Sequence, residues 1–574
     1  MKTMLRITVL LLLCLVLCLG QTAFAEEANA SSAGITIPEN TTVIESEAFA
    51  GCRNITSVTI PASVTRIEDG AFYGCDGLRE VHFNRPLSGF DISIGAGNDP
   101  LLDTAAWFSD GQCFIPLNSR CFPDSSFRGY IADNFDSDGN GSLNKAEISV
   151  ATRIECYRMG ISSLKGVEYF TELTYLDCGL NSLTELDVSK NTKLKTLGVA
   201  GNQLSSLDVS KNTALQTLSC GTEKQEDGVW HRYGNNLTSL NLTNNPELVY
   251  LECPLNQLTS LNVSRNPKLQ SLWCWANNIS SLDVSNNKEL TQISCSHNPI
   301  STLNLTYNTK LQNLYCYECG LTSLNLSNQM ALARLKCGNN SLTSLSLSNH
   351  TALTQLLCNN NSLTSLNVSG CTALESLRCE NNKLTSIDLS YNTNLKSFNL
   401  DYNNLSSLDL RNNTALTSFI CDFNQLTEIR LGNNTNLVNF GVRGNRLAGI
   451  DVSGLPNLQV LGCGDNSLTS IDVSHNPKLY RLHLHNNRLQ SVNLSNNPGL
   501  CFLGIQGNRL TSLDISPCDV LVDLVQNGKR QEYNTDDGLT IVRFTNGEEI
   551  PGDGGTICSL YVDKGINLIY PHIA

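Results

Sequence analysis

Residues 136–147 read Asp-Ser-Asp-Gly-Asn-Gly-Ser-Leu-Asn-Lys-Ala-Glu, an order of oxygen donors that fits a calcium loop. Asp136, Asp138 and Asn140 alternate, so a tight turn aims their side-chain oxygens at one centre. Ser142 offers its carbonyl, Asn144 sits where a bridging water commonly intervenes, and Glu147 brings a bidentate carboxylate. Gly141 permits the sharp bend and Leu143 can anchor the loop. Hard oxygen donors in this number suit one Ca2+ ion. A loop that had lost its ion would not need every donor position intact. Phe122, Phe127, Ile131 and Phe135 give the preceding segment the apolar face of a helix.

A second group of residues suits recognition. Tyr250, Trp273, Trp275, Tyr315 and Tyr317 fall on positions expected to face outward, with His297 close by. An insertion at 223–234 precedes them and carries Trp230, His231 and Tyr233. These rings are expected to form one continuous ligand-binding patch, because exposed aromatics are costly in water and commonly mark interaction sites. The competing reading is that the insertion folds back and buries them.

Catalytic signatures are missing by comparison. There is no His-Glu-x-x-His zinc motif, no Gly-x-Ser-x-Gly elbow and no phosphate-binding glycine loop. His483 and His485 alternate beside Arg481, but no nucleophile or carboxylate group accompanies them in the sequence, so they read as surface residues. An enzyme is the third reading, after a binding protein and a structural surface or matrix component without a discrete ligand.

The element that must position these residues is a repeat. Leu176, Leu197 and Leu218 are 21 residues apart, and after one longer step the column resumes from Leu251 to Leu524 at the same spacing. Ile154 extends it backwards. A fixed period of this size means stacked supersecondary units. One rung, Leu374–Asn392, places Leu374, Leu377 and Cys379 on one side of an extended segment, and Leu384 to Leu389 alternates like another short strand. The expected fold is a mainly β solenoid of about 18 rungs with two stacked parallel sheets, its strands ~4.8 Å apart. An asparagine column runs through Asn181, Asn202, Asn235, Asn256 and onward to Asn508. Its side-chain amides are expected to satisfy backbone groups where the chain turns inward and leaves the sheet.

This pattern resembles bacterial leucine-rich-repeat proteins with 21-residue units and, more distantly, the internalins, over roughly residues 154–527. A different repeat precedes it. Ile37-Pro38, Ala48-Phe49 and Gly51-Cys52 recur as Ile60-Pro61, Ala71-Phe72 and Gly74-Cys75, with Val58 matched by Val81. That segment, 34–86, resembles the BspA-type repeat of bacterial surface proteins. The resemblance implies adhesion to host proteins and other cells. Internalin-like proteins also carry an EF-hand-like cap before the array. This implies that residues 122–153 cap the first sheet edge with a structural calcium ion, that 87–121 connect the two repeat regions, and that 528–574 close the far end.

The cysteines follow the repeat. One core column holds Cys156, Cys178, Cys220, Cys253, Cys274 and others down to Cys463, and the same position elsewhere holds Val199, Leu400 and Ile505. It wants a small apolar body, so buried thiols are expected there rather than disulfides or metal. Cys113 and Cys121 lie outside the array and are the expected disulfide. Residues 1–25 read as a cleavable export signal: Lys2 and Arg6, an apolar run, then Ala23-Phe24-Ala25. Its removal would shift the formal charge from −14 to −16, which argues against a nucleic-acid partner. No later stretch has the length of a membrane span. The sequence therefore describes a secreted or cell-surface monomer that binds an extracellular protein or glycan.

Overall fold

The computed structural model describes residues 34–85, 93–94, 106–109, 112–226, 229–534, 540–545 and 558–571. The expected signal, 1–25, lies outside them, as does part of the connecting segment. The described residues form a mainly β solenoid of about 21 parallel-stacked turns, divided between a unit of residues 1–258 and a unit of residues 259–574.

In the first unit the leading repeats stack as parallel strands Gly34–Thr36, Ser57–Ile60 and Glu80–Phe83. The register puts Ile35 beside Val58 and Val58 beside Val81. Val58, Ile60, Ile67, Phe72 and Val81 are all 0% exposed. The Phe49 and Phe72 rings stack at 5.2 Å, so each turn buries its aromatic on the next. The sheet continues beyond the two sequence repeats, through Ala106–Ser109 and then antiparallel Gln112–Pro116.

The 21-residue array follows. In the first unit Ile154, Leu176, Leu197, Leu218 and Leu251 stand side by side in parallel register. In the second unit the column runs without a break from Leu272 to Leu503. The insertion is an antiparallel hairpin, Thr222–Glu226 with Val229–Tyr233.

Asparagine amides hold the turns as expected. Asn298 Nδ2 donates to the carbonyls of Cys274 and Cys295, both at 3.0 Å, and its Oδ1 accepts the Ile279 amide at 2.9 Å. One side chain thus serves three backbone groups in two successive rungs. A second asparagine ladder was not foreseen: Asn287, Asn308, Asn392 and Asn413 are 0% exposed. Asn308 Nδ2 donates to the carbonyls of Val284 at 3.0 Å and Asn287 at 2.9 Å.

Two expectations need correction. The second sheet is fragmentary: Leu345–Ser346 pairs with Leu366–Asn367, and Ser407–Asp409 with Glu428–Arg430, but most rungs have no strand there. Asp283 and Asp388 accept the amides of Ser285 and Ser390 at 2.9 Å, and the same short bond is present where strand does form, from the Ser369 amide to Asn367 and from the Arg411 amide to Asp409. The end of the array also differs. Leu524 is no rung residue; it lies in the helix Asp519–Asn527, and Leu560 of the strand Ser559–Asp563 stands beside Leu503 instead. The segment 519–527 reads Asp-Val-Leu-Val-Asp-Leu-Val-Gln-Asn, with Leu521 and Leu524 buried three residues apart. It lacks the turn residues of a rung.

Candidate functional site

Three carboxylates of the loop 136–147 converge in the first unit. Helix Ser125–Phe135 starts where Asp124 Oδ1 accepts the Ser126 and Phe127 amides at 3.0 Å, and it buries Phe127 and Ile131. Helix Lys145–Val150 starts with a reciprocal cap between Asn144 and Glu147. Between them, carboxylate oxygens of Asp136, Asp138 and Glu147 lie within 4.8 Å of one another. Burial raises the Asp136 pKa, and the Glu147 charge adds to it. Asn140 is turned differently: its Oδ1 accepts the Ser142 amide at 2.9 Å and hydroxyl at 2.6 Å. Ser142 and Leu143 pair with Pro116 and Ile115.

These helices are seated on the first rung. Tyr130 Oη accepts the Glu155 amide at 2.9 Å, taking a donor from the edge strand Arg153–Glu155. Asp124 Oδ2 accepts the Ser162 amide and hydroxyl at 2.7 and 2.8 Å. Phe122 lies against Phe127, Tyr169 and Phe170. The expected Cys113–Cys121 disulfide is not formed. Cys113 is exposed on a strand opposite Phe108, whereas Cys121 is buried with its thiol against the Tyr169 hydroxyl.

The aromatic positions divide. In the first unit Tyr250 is half-buried, and burial raises its phenol pKa. The hairpin holds His231 and Tyr233 stacked at 6.0 Å; the Trp230 side chain lies outside what is described. In the second unit Trp273, Tyr315 and Tyr317 are half-buried on the wall formed by the first strands. Register places Trp273 beside Ser294 and Ser294 beside Tyr315. Ser294 is only 6% exposed, so the rings flank a small, covered residue. Lys336 Nζ sits 5.0 Å from the Tyr315 ring centre, and His297 packs on Tyr317 at 5.7 Å. Trp275 corrects the expectation of an outward-facing ring: it is 7% exposed. It follows Cys274 where the chain begins its inward turn, and the equivalent Ser296 of the next rung is covered too.

A charged constellation on the same wall went unread in the sequence. Glu380, Asp401 and Asp422 occupy one column in successive rungs. Asp401 Oδ1 accepts the Asp422 amide at 2.6 Å, and Asp422 Oδ1 accepts the Arg443 amide at 2.7 Å. Burial, followed by the Asp401 charge, pushes Asp422 up to about 6. Arg443 Nε reaches Asp465 at 2.6 Å, and Asp465 lies 3.3 Å from His485. The histidines are therefore not simple surface residues. Burial lowers both, His483 to about 4, and His483 packs on Phe502 at 4.4 Å. Beside them Tyr402 and Phe423 are 52% and 37% exposed and stack at 4.7 Å. Both have φ of 53°, where Asn339, Asn360 and Asn381 stand in earlier rungs. A Cβ on Gly444 would come within 2.6 Å of the Phe423 ring, so the next rung leaves room for it. The signal was available: three acids at one 21-residue spacing.

Comparison with known proteins agrees with this architecture. A model of the BspA-type leucine-rich-repeat region matches residues 17–94 in six copies. Internalin J of Listeria monocytogenes serotype 4b (strain F2365) is 32% identical over 71 residues, 12% of this chain and 8% of that protein. The functional domain of InlJ from Listeria monocytogenes, described as including a cysteine ladder, superposes with a TM-score of 0.52 and 26% identity over 78% of this chain and 98% of that one. The chain has the fold of a leucine-rich-repeat solenoid and is similar to the internalins. YopM from Yersinia enterocolitica WA-314 shares the fold at a TM-score of 0.53 and 22% identity, over 67% of this chain and 82% of that one. The matched stretch of internalin J is a small fraction of its length, so the resemblance carries architecture rather than a partner.

The array has its own column of thiols. Cys274, Cys295, Cys316, Cys337, Cys358 and Cys379 are 0% exposed and form no disulfide. Burial raises Cys274 to about 12. Such thiols act as small apolar fillers.

The acid column yields a pH prediction. A carboxyl with a raised folded pKa stabilises the fold most below its unfolded value, about 3.9. For Asp422 that contribution is lost as pH rises through about 6. Asp422→Asn keeps an acceptor for the Arg443 amide and removes the buried charge. It should melt higher than the parent at pH 7.5, with the advantage shrinking towards zero at pH 4. An equal difference at both pH values would contradict this.

Proposed function

We propose that this chain is an exported, surface-presented binding protein, adhesin-like in role, that engages an extracellular protein through the first-strand wall of its second unit. The observation that supports this reading is the grouping of Trp273, Tyr315 and Tyr317, half-buried beside the covered Ser294 and Ser296, within three successive rungs of one wall. Rigid amphipathic rings of this kind make protein hot spots. The signal-like residues 1–25 support export, and among the described residues no helix is long and apolar enough to cross a membrane. The arrangement of Asp465 and His485 has no nucleophile in register with it, and binding accounts for the wall better than catalysis does.

Arrayed extracellular-matrix and cell-surface proteins, run beside a glycan array, test this. A protein partner should bind the mature chain. Trp273→Ala combined with Tyr315→Ala should weaken that binding at least roughly tenfold, since losing hot-spot aromatics commonly costs 2 kcal/mol or more. The melting curve should hold. Retained binding, or signal only on glycans, would overturn the reading.

We further propose that the Asp136–Glu147 loop holds one structural Ca2+. Its support is the convergence of three carboxylates beside helices that already contact the first rung. The ion would neutralise these carboxylates and fix the two helices over the strand edge, limiting edge-to-edge association. Calorimetry should show about one site per chain, and calcium should raise the melting temperature through linkage. Asp138→Asn, at an exposed loop position, should remove both effects. A melting curve unchanged at millimolar calcium would refute the clasp.

A further inference from the structure

Two cysteines lie outside the core column and face each other at the end of the array. The strand Phe502–Gly504 pairs in parallel with Ser559–Asp563, with Phe502 beside Ser559. Cys501 and Cys558 immediately precede these partners. The Ser559 amide donates to the Cys501 carbonyl at 3.0 Å, and the two thiols are in hydrogen-bonding contact. Both residues carry thiols in this structure. The same position in preceding rungs holds Thr417, Val438, Gln459 and Tyr480, and no earlier rung has cysteine there. The core column in these last rungs uses Leu484 and Ile505 instead of cysteine.

We propose that Cys501 and Cys558 are a disulfide site, a covalent staple that ties the returning C-terminal strand to the last regular rung. Between them the chain leaves the solenoid, forms the helix Asp519–Asn527 and the antiparallel strands Lys529–Asn534 and Thr540–Thr545, and comes back as Ser559–Asp563. The final strand's place in the sheet therefore depends on closing a long excursion. Neighbouring strands run ~4.8 Å apart, inside the roughly 4.4–6.8 Å that a disulfide spans between Cα atoms. Access separates this pair from the core thiols. Cys358 and Cys379 also interact, but both are 0% exposed. Cys501 is 7% exposed and Cys558 is half-buried at the rim.

The oxidant is a small-molecule disulfide such as oxidised glutathione. The Cys558 thiolate attacks one of its sulfurs; a mixed disulfide forms and the first glutathione thiol leaves. Burial holds Cys501 near 11, so it acts second. Its thiolate attacks Cys558 Sγ, the Cys501–Cys558 bond forms and the second glutathione thiol leaves. The two protons lost by the cysteines end on the two departing thiols, and the two electrons reduce the oxidant.

Peptide mapping tests the site. The mature chain is incubated with oxidised glutathione at pH 8, and a matched sample with dithiothreitol; both are unfolded in iodoacetamide and mapped by mass spectrometry. The oxidised sample should give a Cys501–Cys558 linked peptide, with the core-column cysteines alkylated. It should melt several degrees above the reduced sample, and Cys558→Ser should melt alike in both conditions. Alkylated Cys501 and Cys558 after oxidation, Cys558 linked elsewhere such as to Cys113, or a linked peptide without a rise in melting temperature would each overturn the staple. None of these outcomes bears on the aromatic wall, so the two readings fail independently.

Discussion

The structure depends on how each rung disposes of backbone polar groups when it leaves the sheet. On the first wall only three residues of a rung are in strand, as in Ser271–Trp273 and Gln292–Ser294. Beyond them the chain turns into an apolar interior, where an unpaired amide or carbonyl costs roughly 1–3 kcal/mol. Asn298 and its equivalents remove that cost by accepting one amide and donating to carbonyls of two rungs. Because each amide side chain reaches into the neighbouring turn, the bond also sets the register. A rung that slipped by one residue would lose these contacts and turn its leucines outward.

That constraint explains which features were legible in the sequence. The leucine column and the inward-turn asparagines carry structural duties in nearly every rung, so their spacing survives wherever the rest varies. The convergence of Asp136, Asp138 and Glu147 was legible because these residues are local in sequence. Tertiary effects were not. Trp275 has the spacing of an outward residue, yet the turn beginning at that point covers it. The second wall alternates like a strand from Leu384 to Leu389, but no strand forms there. Leu524 keeps the period by coincidence, and the segment around it is a helix. The Glu380–Asp401–Asp422 column was in plain view, but its meaning appears only when burial raises Asp422 and the next rung's amide meets each aspartate.

The scaffold separates two kinds of position. Inward residues are interchangeable within a narrow size range, as Cys379, Leu400 and Cys421 show in three successive rungs. Wall residues are free to differ, and there the chain gathers aromatics near Trp273 and a charged, ring-flanked group near Asp422. Function on such a fold resides in these departures from the repeat. The ends follow a separate logic. Tyr130 takes an edge amide at the start of the array, and a strand returning from a long excursion pairs at its far end. Both ends consume backbone groups that the repeat itself cannot satisfy.

The claim that side-chain amides hold the register is tested most directly by native-state hydrogen exchange at Ile279, whose amide is accepted by Asn298 Oδ1. This amide should exchange as slowly as the neighbouring strand amides in the parent protein. In Asn298→Ala it should exchange faster by roughly tenfold or more, consistent with loss of at least about 1.4 kcal/mol of local protection. Rapid exchange of Ile279 in the parent, or unchanged exchange in Asn298→Ala, would contradict the account.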